Sequence, residues 1–257
     1  MVKCKYKKKG INIEHIWFLN QQEIGNIETK GIVFCHALKH KEKKGINKLQ
    51  NSLIADLSLD EDELFQQIRK NDRYKIRRAK KEGVECIAFS SEKIKAHSDL
   101  LDEFEQVYNQ MFRDKHMSVK FNRRQIETYI NEKAMYFTIA YYENKPYVFH
   151  SYIYDKISQN VRLYYSCSAF RSEKEMANMI ARMNKLLHWH DLCRFKEEGI
   201  VNYDWGGITN PENPNGIDQF KLGFGGKLVT YWNVITSNNI CMRLLLKIAN
   251  KAGIFGA

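Results

Sequence analysis

Between residues 100 and 112 the apolar positions Leu100, Leu101, Phe104, Val107, Tyr108, Met111 and Phe112 recur at three- and four-residue intervals. That period puts them on one face of a helix. A second, shorter helix is predicted over 123–130. The pattern then shifts to β-branched and aromatic runs at 134–142, 146–154 and 161–168, separated by polar turns at 143–145 and 155–160, which predicts an antiparallel meander. Met176, Ile180, Met183 and Leu187 restore the helical spacing in a long helix that opens near 169–172 and ends near Gly199. Upstream, 31–38 and 53–57 read as strands, and Ser58 or Asp60 is placed to cap the helix carrying Leu64, Phe65 and Ile68. Residues 1–9 read as a frayed basic tail. Ile240, Leu244, Leu245 and Ile248 predict a C-terminal amphipathic helix covering the core, with Arg243, Lys247 and Lys251 outermost.

Two stretches break the pattern. Between Arg69 and Lys81 eight basic residues stand against one acid, Asp72, and Arg73, Arg77 and Lys80 share a helical face. Such a face is either solvated or turned toward a polyanion. Residues 199–226 concentrate glycines at 206, 207, 223, 225 and 226 and prolines at 211 and 214 around Asp204 and Lys221. Here 201–205 alternates as a short strand that Gly206-Gly207 would stop, and 208–216 reads as a structured loop. These glycines serve either a packed turn or a backbone wall close to a ligand.

The 257 residues carry a formal charge of +11 and 44% hydrophobic residues. The length suffices for one large domain or two small ones, and the charge favours nucleic acid, an acidic membrane surface or phosphorylated substrates without choosing among them. No apolar run is long enough to span a membrane. With no apolar signal core behind the basic start, a cytoplasmic protein is expected. Six scattered cysteines exclude a close-spaced zinc cluster and suit a reducing compartment, and Cys167, in a strand-like setting, reads as a buried thiol. His188 and His190 diverge on a helix, so no metal site is expected.

Tyr203-Asp204-Trp205-Gly206-Gly207 and Phe220-Lys221-Leu222-Gly223-Phe224-Gly225-Gly226 resemble the C-terminal signature of the FemABX-like acyltransferases, relatives of the Gcn5-type N-acetyltransferases. The basic run from Asn71 to Val84 resembles that family's basic helix and following strand, and Met183-Asn184-Lys185-Leu186-Leu187-His188-Trp189 gives a third match, so the resemblance covers about 50–235. It implies an α/β protein of Gcn5-related N-acetyltransferase-like fold, a mixed central sheet flanked by helices in one or two lobes. The division expected is a truncated N-terminal lobe with the basic helix at 1–90 and an acyltransferase lobe at 91–257.

The resemblance further implies amide-forming aminoacyl or acyl transfer from an activated ester to an amine of a phosphorylated sugar or a peptidoglycan or polysaccharide precursor. Lys221 would stabilise the oxyanion beside Phe220. Asp204 would accept a proton, or equally cap the 206–207 turn. Arg73 and Arg77, with Tyr74, would hold acceptor phosphates, and Asn184, Trp205, Gly206 and Gly207 would complete the substrate site. No tightly bound cofactor is implied; the co-substrate is aminoacyl-tRNA or acyl-CoA. The acceptor is a phosphorylated small molecule or a lipid-linked one, with weak peripheral membrane contact open. After the third meander strand the chain reads Arg171-Ser-Glu-Lys-Glu-Met-Ala177 in place of a glycine-rich pyrophosphate loop. That departure favours aminoacyl-tRNA over acetyl-CoA. The alternatives are an acyl-CoA-dependent N-acyltransferase acting on an amino sugar or amino acid, and a nucleic-acid-binding module using the 69–81 helix.

Overall fold

The computed structural model describes residues 1–19 and 29–253. Ten strands form one mixed sheet in the order β1-β2-β3-β10-β4-β9-β8-β7-β6-β5. They are β1 (Val2–Lys8), β2 (Ile11–Trp17), β3 (Ile32–Leu38), β4 (Ile46–Asp56), β5 (Glu85–Ser90), β6 (Met135–Tyr142), β7 (Lys145–Asp155), β8 (Asn160–Ser168), β9 (Asn202–Ile208) and β10 (Lys227–Thr236). Among the described residues, only β2 with β3 and β8 with β9 pair in parallel. The helices are α1 (Glu61–Gln67), α2 (Lys70–Lys81), α3 (Ser91–Ala96), α4 (Asp99–Asp114), α5 (Arg123–Asn131), α6 (Ala177–Glu197), α7 (Gly216–Leu222) and α8 (Ile240–Lys251). This is the mixed α/β architecture of the Gcn5-related N-acetyltransferase-like fold.

Strand alternation divides the core between the two faces of the sheet. Tyr136, Ala140, Val148, Tyr152, Tyr203 and Trp205 point to the side where α6 contributes Ile180, Met183, Leu187 and Phe195 and α2 contributes Ile76 and Ala79. Phe137, Ile139, Phe149 and Ile153 point to the other side, under Leu101 and Phe104 of α4 and Ile126 and Tyr129 of α5. The sheet runs without a break past residue 90: β10, from the C-terminal part of the chain, lies between β3 and β4.

The structure corrects four expectations. Residues 1–9 are not a frayed tail; Val2 and Cys4 are buried while Lys3, Lys5 and Lys7 point outward in β1. The lysine density hid this two-residue alternation. Gly206-Gly207 lie within β9 rather than ending it, because Gly207 still pairs with Ser52 of β4. The long helix starts at Ala177, after a 3₁₀ turn over Lys174–Met176. The apolar row of α8 faces outward: Ile240, Leu244, Leu245 and Ile248 are exposed and only Leu246 is buried.

Candidate active site

β8 and β9 pair only from Asn160 to Arg162 against Asn202 to Asp204. Beyond that point β8 stays with β7 up to Ser168, while β9 follows β4 up to Ile208. The two strands therefore diverge. A cavity of about 470 Å³ sits at this divergence, lined by Leu163 and Ser166 of β8, Asn184 and His188 of α6, and Phe220 and Lys221 of α7. It shares Lys115, Phe170, Asn184 and Phe220 with an adjoining space of about 280 Å³ that reaches Arg171 and Lys185.

Local sequence explains how α7 is aimed. Asn215 caps the helix by accepting from the backbone N–H groups of Ile217 and Asp218, and buried Asp218 accepts from those of Thr209 and Asn210, closing the proline-bearing loop. The 220–221 element is thus the last turn of a short helix. Phe220 carries Lys185 Nζ over its ring at 4.5 Å, and Lys185 is paired with Asp72 of α2 at 2.8 Å. Lys221 donates from Nζ to Gly207 O at 2.7 Å. Burial, and then the neighbouring Arg162 guanidinium, hold the Lys221 ammonium below its ordinary range against the pull of Asp204 and Asp218.

Gly206 has φ +80°, and a Cβ there would stand 3.7 Å from Lys221 Nζ. Gly226, at φ +113°, lies so close to β4 that a Cβ would meet Ile54 O at 2.6 Å. The glycines therefore serve both purposes, one beside the lysine and one in a packed turn.

Asp204 points to the face of the sheet opposite Tyr203 and Trp205. It accepts from Arg162 and Ser52, and from Gly206 N at 2.8 Å. It is buried with its lone pairs engaged, as the cap of the 206 position, and lines a separate cavity of about 450 Å³ with Ile54 and Tyr231. Trp205 is fully buried behind His188, ring centroids 4.8 Å apart. Arg73, Tyr74 and Arg77 are not among the cavity's lining residues. Arg73 donates to Gln66, Arg77 lies over the Phe65 ring at 5.0 Å, and Tyr74 is exposed. Lys221, Phe220, Asn184 and the Gly206-Gly207 backbone are brought together; Asp204 stands behind them, and the α2 residues stand apart.

A buried polar network beneath the cavity was not evident from sequence. His150 of β7 has Nδ1 2.8 Å from Asp191 Oδ2 and Nε2 2.9 Å from Asn184 Oδ1. Tyr152 donates to Asp191 Oδ2 at 2.5 Å and lies 2.8 Å from Tyr203 OH, which approaches His188 Nδ1 at 3.5 Å. The His188 ring stacks on His150, centroids 4.0 Å apart. Burial and then His150 push His188 well below the ordinary histidine range, Asp191 opposing, so His188 is neutral near pH 7. Burial alone would raise Asp191, but hydrogen bonds from His150 and His190 overcome it and keep the carboxylate ionised. His150, His188 and Asp191 also bring potential ligand atoms within 4.8 Å of one another. Both His150 nitrogens and Asp191 Oδ2 are already hydrogen-bonded within the network, which suits proton handling better than metal binding. The α6 spacing compared His188 only with His190; the partner that matters comes from β7.

No family model matches the chain, and no curated protein matches it either. Its fold is shared with several solved structures at low sequence identity. The crystal structure of FemX superposes with a TM-score of 0.64 at 11% identity, covering 95% of this chain and 86% of that one. The C-terminal domain of a putative lysylphosphatidylglycerol synthetase from Agrobacterium fabrum gives 0.60 at 12%, covering 96% and 84%. L-PGS from Bacillus licheniformis gives 0.56 at 10%, covering 97% and 85%.

Proposed function

We propose that the protein transfers an aminoacyl or acyl group from an activated ester to an amine, forming an amide in the cavity between β8 and β9. The observation that carries this reading is that Lys221, a half-buried cation, and His188, a buried neutral imidazole, line one cavity. The acceptor nitrogen attacks the ester carbonyl carbon, and the carbonyl oxygen takes up negative charge beside the Lys221 ammonium, whose Gly207 bond fixes its position. His188 takes the proton released by the nitrogen. The bond to the donor oxygen then breaks, and the leaving alkoxide takes the proton that His188 had accepted, returning the imidazole to its neutral form. Because the donor is already activated, orientation and charge stabilisation suffice and no protein nucleophile is needed; Cys167 is fully buried, its thiol pushed far above the usual range by desolvation.

The donor is read as aminoacyl-tRNA. Lys115, which lines the cavity, and exposed Arg171, which lines the adjoining space, offer cations to the phosphates of a tRNA end. The acceptor is a phosphorylated amino sugar or a cell-envelope precursor, with Arg73, Tyr74 and Arg77 of the 1–90 segment holding its phosphates outside the cavity. Incubating the protein with tRNA charged with labelled amino acids, or with labelled acetyl-CoA, and with a peptidoglycan precursor or an amino-sugar phosphate tests this. Label moving from tRNA into an amide, abolished in Lys221→Ala, is expected. Transfer from acetyl-CoA alone favours the N-acyltransferase reading. No transfer from either donor, with polyanion binding lost in Arg73→Ala/Arg77→Ala, favours a nucleic-acid-binding module.

A further inference from the structure

Helix α8 is built inside out. Ile240, Leu244 and Ile248 form an i, i+4 row with Leu245 beside it, and their exposures are 66, 57, 65 and 59%. The side facing β10 and β4 holds one buried residue, Leu246, with Met242 and Ala249 half-buried. A helix that merely covered a core would be oriented the other way. The helix is nonetheless well founded: Asn239 caps it by accepting from Met242 N, and Arg243 donates to Ser237 O at 2.8 Å.

Charge identifies what lies against this face. α8 has no acidic residue, while Lys247 and Lys251 border the apolar row and Arg243 lies next to them. The loop before β4 adds exposed Lys41, Lys43 and Lys44, and Thr236, four residues before the helix, donates to Lys44 O at 3.0 Å. An apolar strip on an acid-free helix, flanked by Arg243, Lys247 and Lys251 and by a loop in which Lys41, Lys43 and Lys44 outnumber Glu42, fits a surface with anionic headgroups above acyl chains. A second copy of the chain fits poorly, since pairing two α8 faces would bring these cations together with no acid in either helix. At 12 residues the helix is too short to cross a bilayer.

We infer that α8 is an interfacial helix that seats the protein on an anionic lipid bilayer, its apolar row in the headgroup–acyl boundary and its basic flank against lipid phosphates. This docking is independent of any transfer chemistry.

The test is co-sedimentation of the whole protein with vesicles of phosphatidylcholine alone or with about a third phosphatidylglycerol. Partitioning at least about tenfold stronger onto the anionic vesicles is expected, falling as salt rises. Leu244→Asp/Ile248→Asp is expected to abolish it with the circular dichroism unchanged. Arg243→Gln, Lys247→Gln and Lys251→Gln should each weaken it by about fivefold. A polarity-sensitive fluorophore on exposed Cys241 should shift to the blue on anionic vesicles, a readout that needs no variant in the helix row. Three results would overturn the inference: no vesicle binding and no blue shift, equal binding to neutral vesicles, or a solution dimer that Leu244→Asp/Ile248→Asp dissolves. Vesicle binding by a protein that transfers nothing would sink the proposed reaction and leave this inference standing.

Discussion

Lys221 reaches back fourteen residues to donate its ammonium to the carbonyl of Gly207 at 2.7 Å, across the gap where β8 and β9 part. That bond uses one of three N–H donors and points the rest of the head group at the cavity. Replacing Lys221 with Ala is expected to lower kcat for transfer by about 10²–10³-fold, the usual cost of one oxyanion donor. Arg, longer and planar, should restore little. Single-turnover kinetics with a charged donor measures both; a Lys221→Ala enzyme within about threefold of the parent would remove the lysine from the chemistry.

In the proposed reaction His188 is the base, and it is expected to set the pH dependence. Its proton affinity is depressed by burial and by His150, so the rate should hold as pH falls through 6.5 and drop only in more acidic solution. His188→Gln should lower the rate by about 10²–10⁴-fold and abolish that acidic limb. A purely structural role would instead leave the limb in place on a less stable protein, so pH–rate profiles and thermal melts are read together.

Asp72 and Lys185 form a largely buried ion pair that ties α2 to α6, with the lysine also over Phe220. Removing one partner strands the other charge. Lys185→Met is expected to cost about 3–5 kcal/mol and Asp72→Asn somewhat less, measured by urea unfolding. Lys185→Met/Asp72→Leu should recover much of the loss, and a strictly additive double variant would contradict coupling across this pair.

On the opposite edge of the sheet, His15 Nδ1 lies 2.9 Å from His36 Nε2, with Tyr6, Phe34 and Trp17 stacked alongside. Burial lowers His15 to about 4. His36 is also lowered, by burial and then by His15 and Arg162. The folded state therefore resists protons that the unfolded chain accepts near 6.5. Stability is full above 6.5 and falls as pH drops from there toward 4, by at most about 1.4 kcal/mol per pH unit per histidine. Denaturant midpoints at pH 7.5, 6 and 5 test this; His15→Phe should flatten the slope.

Gly206→Ala is expected to act on the lysine as well as on the backbone. A side chain at φ +80° costs about 1 kcal/mol or more, and the added methyl would sit 3.7 Å from Lys221 Nζ. A kcat loss larger than the fall in stability explains, with unchanged KM, would show that the glycine positions the ammonium.

The chain's own pattern determined most of the elements. Continuous β-branched and aromatic runs marked β6, β7 and β8, the first two of them buried on both faces of the sheet, and 3.6-residue periodicity marked α4, α5 and the body of α6, whose apolar faces pack on a neighbour. The unusual 199–226 composition also pointed to Lys221, since glycines and prolines cluster where backbone geometry is special. Where elements carried charge on their outer face or departed from the usual layout, the pattern misled. Lysines masked β1, and the apolar row of α8 read as core although its direction is set by packing, not by period.

Tertiary structure alone decided the site. Nothing in one dimension says that β8 and β9 separate after Arg162, that a histidine from β7 stacks on one from α6, or that Asp204 turns its carboxylate to Arg162 and Ser52 on the far face. Periodicity records only which face of an element is apolar. Pairing of strands distant in sequence decides which polar groups meet, and it is that meeting, in a dry interior, that shifts their proton affinities and makes chemistry possible.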